Sequence, residues 1–177
     1  IPVMAHPAPI PLFSAAAVNA GIDLGTAIQQ VLDSHWYVLG QQVQGFESEF
    51  ARYIGAAHCV SVANGTDALE LALRAVGVAP GDKVVAVANA GFYGSTAIHA
   101  IGAVPLYADV DEATLTLSPV ALEQALASQP AAVIVTHLYG HMADMPALSA
   151  LCERAGVPLI EDCAQSHGAE LAGRKAG

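Results

Sequence analysis

An α/β fold built on a mostly parallel sheet is predicted by three features of this 177-residue chain. Five short runs rich in valine, isoleucine and alanine alternate with segments of helical period. The runs are nearly continuous apolar stretches, as strands covered on both faces require. The residues with chemical capacity collect just after the runs, where parallel sheets gather ligands.

Taken in order, Pro2, Pro7, Pro9 and Pro11 make residues 1–13 an extended arm, and residues 14–177 form the folded part. Asn19 to His35 reads as a helix with Ile22, Ala27, Ile28, Val31 and Leu32 on one face. Gly40 closes WYVLG, and a second helix runs from Gln44 to Ile54, stopped by Gly55. HCVSVA (58–63) is the first strand, and NGTDALELALRAVG turns and continues at helical period. KVVAVA (83–88) is the second strand, followed by the Gly-opened helical stretch GFYGSTAIHAIG. VPLYADVD (104–111) is the third, with a helix from Pro119 to Ser128 after it. AAVIVTHL (131–138), a helix from Met145 to Ala155, and VPLIED (157–162) complete the alternation. The result is a three-layer arrangement without internal linker or repeat.

Composition narrows the partners. Hydrophobic residues make up 54% of the chain, which supplies a core and argues against disorder. Sixteen acids face six bases, giving a formal charge of -10. No basic stripe exists to meet phosphate backbones, so neither nucleic acid nor an anionic membrane is an expected partner. No run reaches the length of a membrane span, and the opening IPVMAHPAPIPLF lacks a basic leader region. Cys59, Cys152 and Cys163 are too scattered for a disulfide framework, so a reduced, cytoplasmic protein is expected. His137 and His141 stand four apart, but Gly140 between them favours a turn and no third ligand follows at a metal spacing. No metal site is expected.

Three loops carry the chemistry. In SVANGTDALELAL, Gly65 and Thr66 open a helix, where free N–H groups and the dipole suit a phosphate. A plainer reading is that Thr66 or Asp67 only caps the helix. In ANAGFYGSTA, Phe92 and Tyr93 stand between glycines after a strand, placed either to stack on a planar ring or to pack on the core. In LIEDCAQSHGA, two acids end an apolar strand. A protonated pyridine nitrogen would give Asp162 a partner, since a nearby opposite charge favours the ionised carboxylate. Gln165 could donate to a phenolic oxygen of the same ring. The plainer alternative has Asp162 capping the turn, with Glu161 solvated or structural. Phosphate cradle, stacking aromatic and acid are together the contacts that pyridoxal 5′-phosphate needs.

The order NGTDAL, FY, IEDCAQSHGA resembles that of the DegT/DnrJ/StrS family of sugar aminotransferases. LDSHWYVLGQQVQGFESEFARYIGAAHCVSVANGTDALELAL, GAVPLYADVDEATLTL, HLYGHMADM and GAELAGRKAG are similar to that family too, so the resemblance runs from about Pro11 to Gly177. It implies the large domain of the fold type I pyridoxal phosphate enzymes. It also implies a homodimer at full length, and amino transfer from glutamate or glutamine to a nucleotide-linked keto-sugar. By the same resemblance, Gly65 and Thr66 would hold the phosphate, Asp162 the pyridine nitrogen and Gln165 the ring oxygen. The commonest family pattern has its stacking aromatic where this chain has Gly91. A subgroup carries tyrosine where Tyr93 stands, which makes Tyr93 the first choice and Phe92 the second. Trp36 and Tyr37 match a segment near the active site, in a substrate, interface or merely packed role.

One departure is large. Amino transfer needs a Schiff-base lysine, and the two lysines here, Lys83 and Lys175, match no such motif. In the family that lysine follows the acid–glutamine segment by about thirty residues. The chain therefore reads as a truncated N-terminal part of the enzyme, without turnover by itself. Two alternatives are a family dehydratase, with histidine at the lysine position, and a non-catalytic α/β ligand-binding or regulatory module.

Overall fold

The computed structural model describes residue 11 and residues 13–177, so most of the predicted arm (1–13) lies outside the described residues. The described residues divide into two compact units, one up to residue 46 and one of residues 47–177.

The first unit holds α1 (Ala15–Val18), α2 (Leu24–Ser34) and the opening of α3 (Gln41–Ile54), whose remainder belongs to the second unit. The helix predicted over 19–35 is found as α2, starting later at Leu24, and the short α1 lies ahead of the predicted span. Asp23 accepts the Thr26 N–H at 3.0 Å and starts the helix after a turn. Ile22, Ile28 and Leu32 of the predicted apolar face are exposed. So are Trp36 and Tyr37, which are not packed as a helix terminus would be.

The second unit contains α4 (Gly65–Ala75), β1 (Lys83–Ala86), α5 (Tyr93–Ala100), β2 (Val104–Tyr107), α6 (Pro119–Leu126), β3 (Ala132–Thr136), α7 (Met145–Ala155) and β4 (Leu159–Asp162). The four strands form a parallel sheet in the order β2-β1-β3-β4. The pleat sends alternate side chains to opposite faces, and two buried clusters follow from it. Val84, Ala86, Ala132 and Ile134 pack with Leu69, Leu73 and Ile98 of α4 and α5. Val85, Val133 and Val135 pack with Leu122, Leu148 and Cys152 of α6 and α7. Each fully buried aliphatic side chain is worth roughly 1.5–3 kcal/mol, so the three layers are held by the same alternation that made the strands legible. Short polar side chains cap the starts of α6 and α7. Ser118 precedes Pro119 of α6, and Asp144 accepts the Ala147 N–H of α7 at 3.2 Å.

The predicted first strand, 58–63, forms no ladder. Among the described residues no strand pairs with it, the Ser61 N–H donates instead to the Glu47 carboxylate at 2.7 Å, and Val60 stands exposed. β4 is likewise an edge, with β3 its single neighbour. A small antiparallel hairpin, β5 (Glu170–Leu171) with β6 (Arg174–Lys175), follows β4 and was not predicted.

Candidate cofactor-binding site

The helix start at α4 comes first. Asn64, and not Thr66 or Asp67, is the cap: its Oδ1 accepts the Asp67 N–H at 3.0 Å. Its amide nitrogen draws back the Asp67 carboxylate at 2.8 Å, away from the helix axis end. The N–H groups of Gly65 and Thr66 meet no acceptor among the described residues. Two free donors at a helix N-terminus, with the neighbouring acid tied off, fit an anion.

After β1 the chain turns through Asn89–Phe92 into α5. Asn89 donates to the carbonyl of Leu115 at 2.9 Å and ties the loop after β2 to this one. Phe92 is left-handed (φ 67°) and its side chain is exposed. Tyr93 opens α5, and its ring covers Gly91: a Cβ on Gly91 would stand 3.1 Å from Tyr93 Cε2. The tyrosine ring thus occupies the space beside residue 91 that a side chain there would take.

At the end of β4, Asp162 lies opposite Thr136 in the register. Thr136 Oγ1 donates to its Oδ2 at 3.3 Å, and the Ala164 N–H donates to Oδ1 at 3.2 Å. The turn cap is therefore real. It uses two of about four lone-pair positions on the carboxylate. Gln165, on the same turn, accepts the backbone N–H of Tyr139 at 2.7 Å.

The two adjacent acids part company by the pleat. Leu159 packs on the α6/α7 side and Ile160 on the α4/α5 side. Alternation then sends Glu161 to the α6/α7 side and Asp162 to the α4/α5 side. Asp162 so shares a face of the sheet with the two helices whose first residues are Gly65, Thr66 and Tyr93.

On the other face, Glu161 accepts from Nε2 of the fully buried His137 at 2.9 Å and from the Gly177 N–H at 3.2 Å. The Ala143 N–H donates to His137 Nδ1 at 3.1 Å, which fixes the ring proton on Nε2. The His137 hydrogen bond, aided by Gly177, holds the Glu161 carboxyl below the usual carboxylate range against the opposing effect of burial. His137, Glu161 and Cys163 bring one ligand atom each within 4.8 Å. A metal on Nε2 would force the proton onto Nδ1, against the Ala143 N–H, so the His137–Glu161 pair is a structural lock. Sequence reasoning set aside the His137/His141 pair and left Glu161 either solvated or structural; it is structural, with His137 its partner. The strand pleat carried the signal, because it separates Glu161 from Asp162.

Neither lysine reaches these loops. Lys83 begins β1, at the opposite end of the strand. Lys175 donates to the Tyr53 carbonyl at 2.5 Å and sits 4.0 Å above the centre of the Tyr53 ring. Among the described residues no helix is long and apolar enough to cross a membrane.

Comparison with known proteins identifies the family and the fold. The model of the DegT/DnrJ/EryC1/StrS aminotransferase family matches residues 22–177. The chain is 46% identical, over 155 residues, to a dTDP-3-amino-3,4,6-trideoxy-alpha-D-glucose transaminase of Micromonospora megalomicea subsp. nigra, covering 88% of this chain and 41% of that one. The crystal structure of DesV from S. venezuelae superposes with a TM-score of 0.91 at 40% identity, over 95% of this chain and 46% of that one. A structure of ntda from Bacillus subtilis, solved with its cofactor PMP bound, superposes with a TM-score of 0.83 at 28% identity, over 93% of this chain and 37% of that one. The chain spans less than half the length of these relatives. The match across residues 22–177, on this fold, places the chain in the DegT/DnrJ/EryC1/StrS aminotransferase family.

Proposed function

We propose that this chain carries the cofactor-binding part of a pyridoxal-phosphate-dependent aminotransferase that acts on a nucleotide-linked keto-sugar, with glutamate or glutamine as amino donor. The observation that carries the reading is the sharing of one sheet face by Asp162 and the helices begun by Gly65–Thr66 and Tyr93. Gly65 and Thr66 would bind the phosphate through their free N–H groups. Tyr93 is favoured over Phe92 for the ring face because it already fills the space beside Gly91. Asp162 would meet the ring nitrogen with its remaining lone pairs, and an anion there holds the ring protonated. When bound, the cofactor supplies an electron sink; the residues of this chain bind it, orient it and hold one proton on its nitrogen.

The substrate class rests on the relatives, which include dTDP-amino-sugar transaminases. These names favour amino transfer over dehydration. The covalent lysine is not Lys83 or Lys175, so turnover by residues 1–177 alone is not expected, nor is the chain expected to act as a monomer at full length. The test is equilibrium titration of the chain with pyridoxamine 5′-phosphate, which needs no lysine, followed by its absorbance. Saturable binding that Asp162→Asn weakens about tenfold or more supports the reading, as loss of a charge-assisted bond predicts. Binding indifferent to that change would favour a non-catalytic ligand-binding module.

A further inference from the structure

Tyr139 is an anomaly that the reading above leaves unused. It stands in the turn after β3 with φ 55° and ψ 24°, a left-handed backbone for a bulky residue. Such a conformation costs about 1–2 kcal/mol. The side chain recovers nothing from it, since it is 87% exposed and makes no hydrogen bond among the described residues. What the strain secures is the backbone. The Tyr139 N–H reaches Gln165 Oε1 at 2.7 Å, and a Cβ on the next residue, Gly140, would lie 3.3 Å from the Gln165 carbonyl oxygen. The turn bonds the Gln165 side chain and leaves no room beside its main chain for a side chain at residue 140. It is held from behind by His137, whose ring joins Ala143 to Glu161.

An N–H can only donate, so the Gln165 amide has one allowed orientation. Its oxygen is consumed, and its NH2 meets no other described residue. We infer that Tyr139 is a positioning residue whose backbone N–H makes Gln165 a pure hydrogen-bond donor, so that the site selects a pyridoxal-type ring with its phenolic oxygen ionised. This rests on the proposed cofactor. A donor with no accepting atom stabilises a phenolate and offers nothing to a phenol proton.

The test uses the whole 177-residue chain with pyridoxamine 5′-phosphate and its 3-deoxy analogue, which lacks the phenolic oxygen. The absorbance of the bound ring is followed against pH to read phenol ionisation. Gln165→Glu keeps an acceptor for Tyr139 and replaces the donor by an anion. It should raise the apparent phenol pKa by about one unit or more, a tenfold shift in the ionisation ratio, and leave affinity for the 3-deoxy analogue within about twofold. Tyr139→Gly keeps the N–H and should leave the spectrum as in the wild type. Tyr139→Pro removes the N–H and, because proline cannot take φ 55°, also opens the turn; both effects free the Gln165 amide and should move the spectrum in the direction of Gln165→Glu. An unchanged phenol ionisation in Gln165→Glu, with the ligand bound, overturns the inference and leaves the cofactor reading standing. Failure of the wild-type chain to bind pyridoxamine 5′-phosphate at all overturns both.

Discussion

Replacing His137 by alanine tests whether the lock behind the site is energetic or decorative. The ring is fully buried and has two partners, Ala143 N–H at 3.1 Å and Glu161 at 2.9 Å. Ala143 is fully buried as well, so its amide would be orphaned. That loss costs about 1–3 kcal/mol, and the bond to the charged Glu161 is worth about 1.5–3 kcal/mol. A water entering the vacated space would return part of this. The expected destabilisation is about 3 kcal/mol, a large share of the stability of any domain. His137→Asn separates the two contributions. Its Oδ1 stands in for Nδ1 and keeps the Ala143 bond, while the shorter side chain gives up Glu161. It should cost about 2 kcal/mol. The assay is urea unfolding at pH 7 followed by far-ultraviolet circular dichroism. A cost below about 1 kcal/mol for the alanine variant, or equal costs for the two variants, would refute the two-partner account.

Glu161→Gln preserves an acceptor for His137 and Gly177 and deletes the charge. Because the carboxyl is held low in the fold, its stabilisation is present above the ordinary carboxylate range and fades as pH falls through the depressed value; acid unfolding of this variant should therefore lack that part of the slope. Gly91→Ala should cost about 1–2 kcal/mol, since residue 91 has φ 70° and the new methyl would meet the Tyr93 ring at 3.1 Å; weakened pyridoxamine 5′-phosphate binding would accompany it, and an unaffected affinity would count against Tyr93 as the stacking ring. Burial pushes the Cys163 thiol up to about 11, so iodoacetamide at pH 8 should label it roughly a hundredfold more slowly in the folded chain than in urea, as mass spectrometry of the labelled peptide will read.

The α/β architecture was legible because a covered strand has no choice but to be apolar on both faces. β1, β3 and β4 are found inside the predicted runs, each trimmed at the ends where pairing stops. The segment 58–63 was misread for the same reason. Its composition is that of a strand, but a strand is a relation between two chains of hydrogen bonds, and no described neighbour completes it. The hairpin at 170–175 was missed because EL and RK are too short and too polar to register as strands. Trp36 and Tyr37 show the limit from the other side, since nothing in their sequence says whether an aromatic pair will be covered.

The acid doublet carries the deeper lesson. Glu161 and Asp162 are chemically alike and adjacent, and no pattern of residue types tells them apart. What separates them is the pleat. One step along β4 takes a carboxylate from the side of α7, where His137 and Gly177 hydrogen-bond it, to the side of α4 and α5, where Thr136 and a turn amide leave it lone pairs to spare. The first acid fixes the turn after β3, and that turn, through the Tyr139 N–H, fixes Gln165. The second stands with Gln165 on the turn that follows β4. A costly pair of carboxylates at a strand end thus divides its work, with one holding the loops in register and the other keeping lone pairs that no described residue fills.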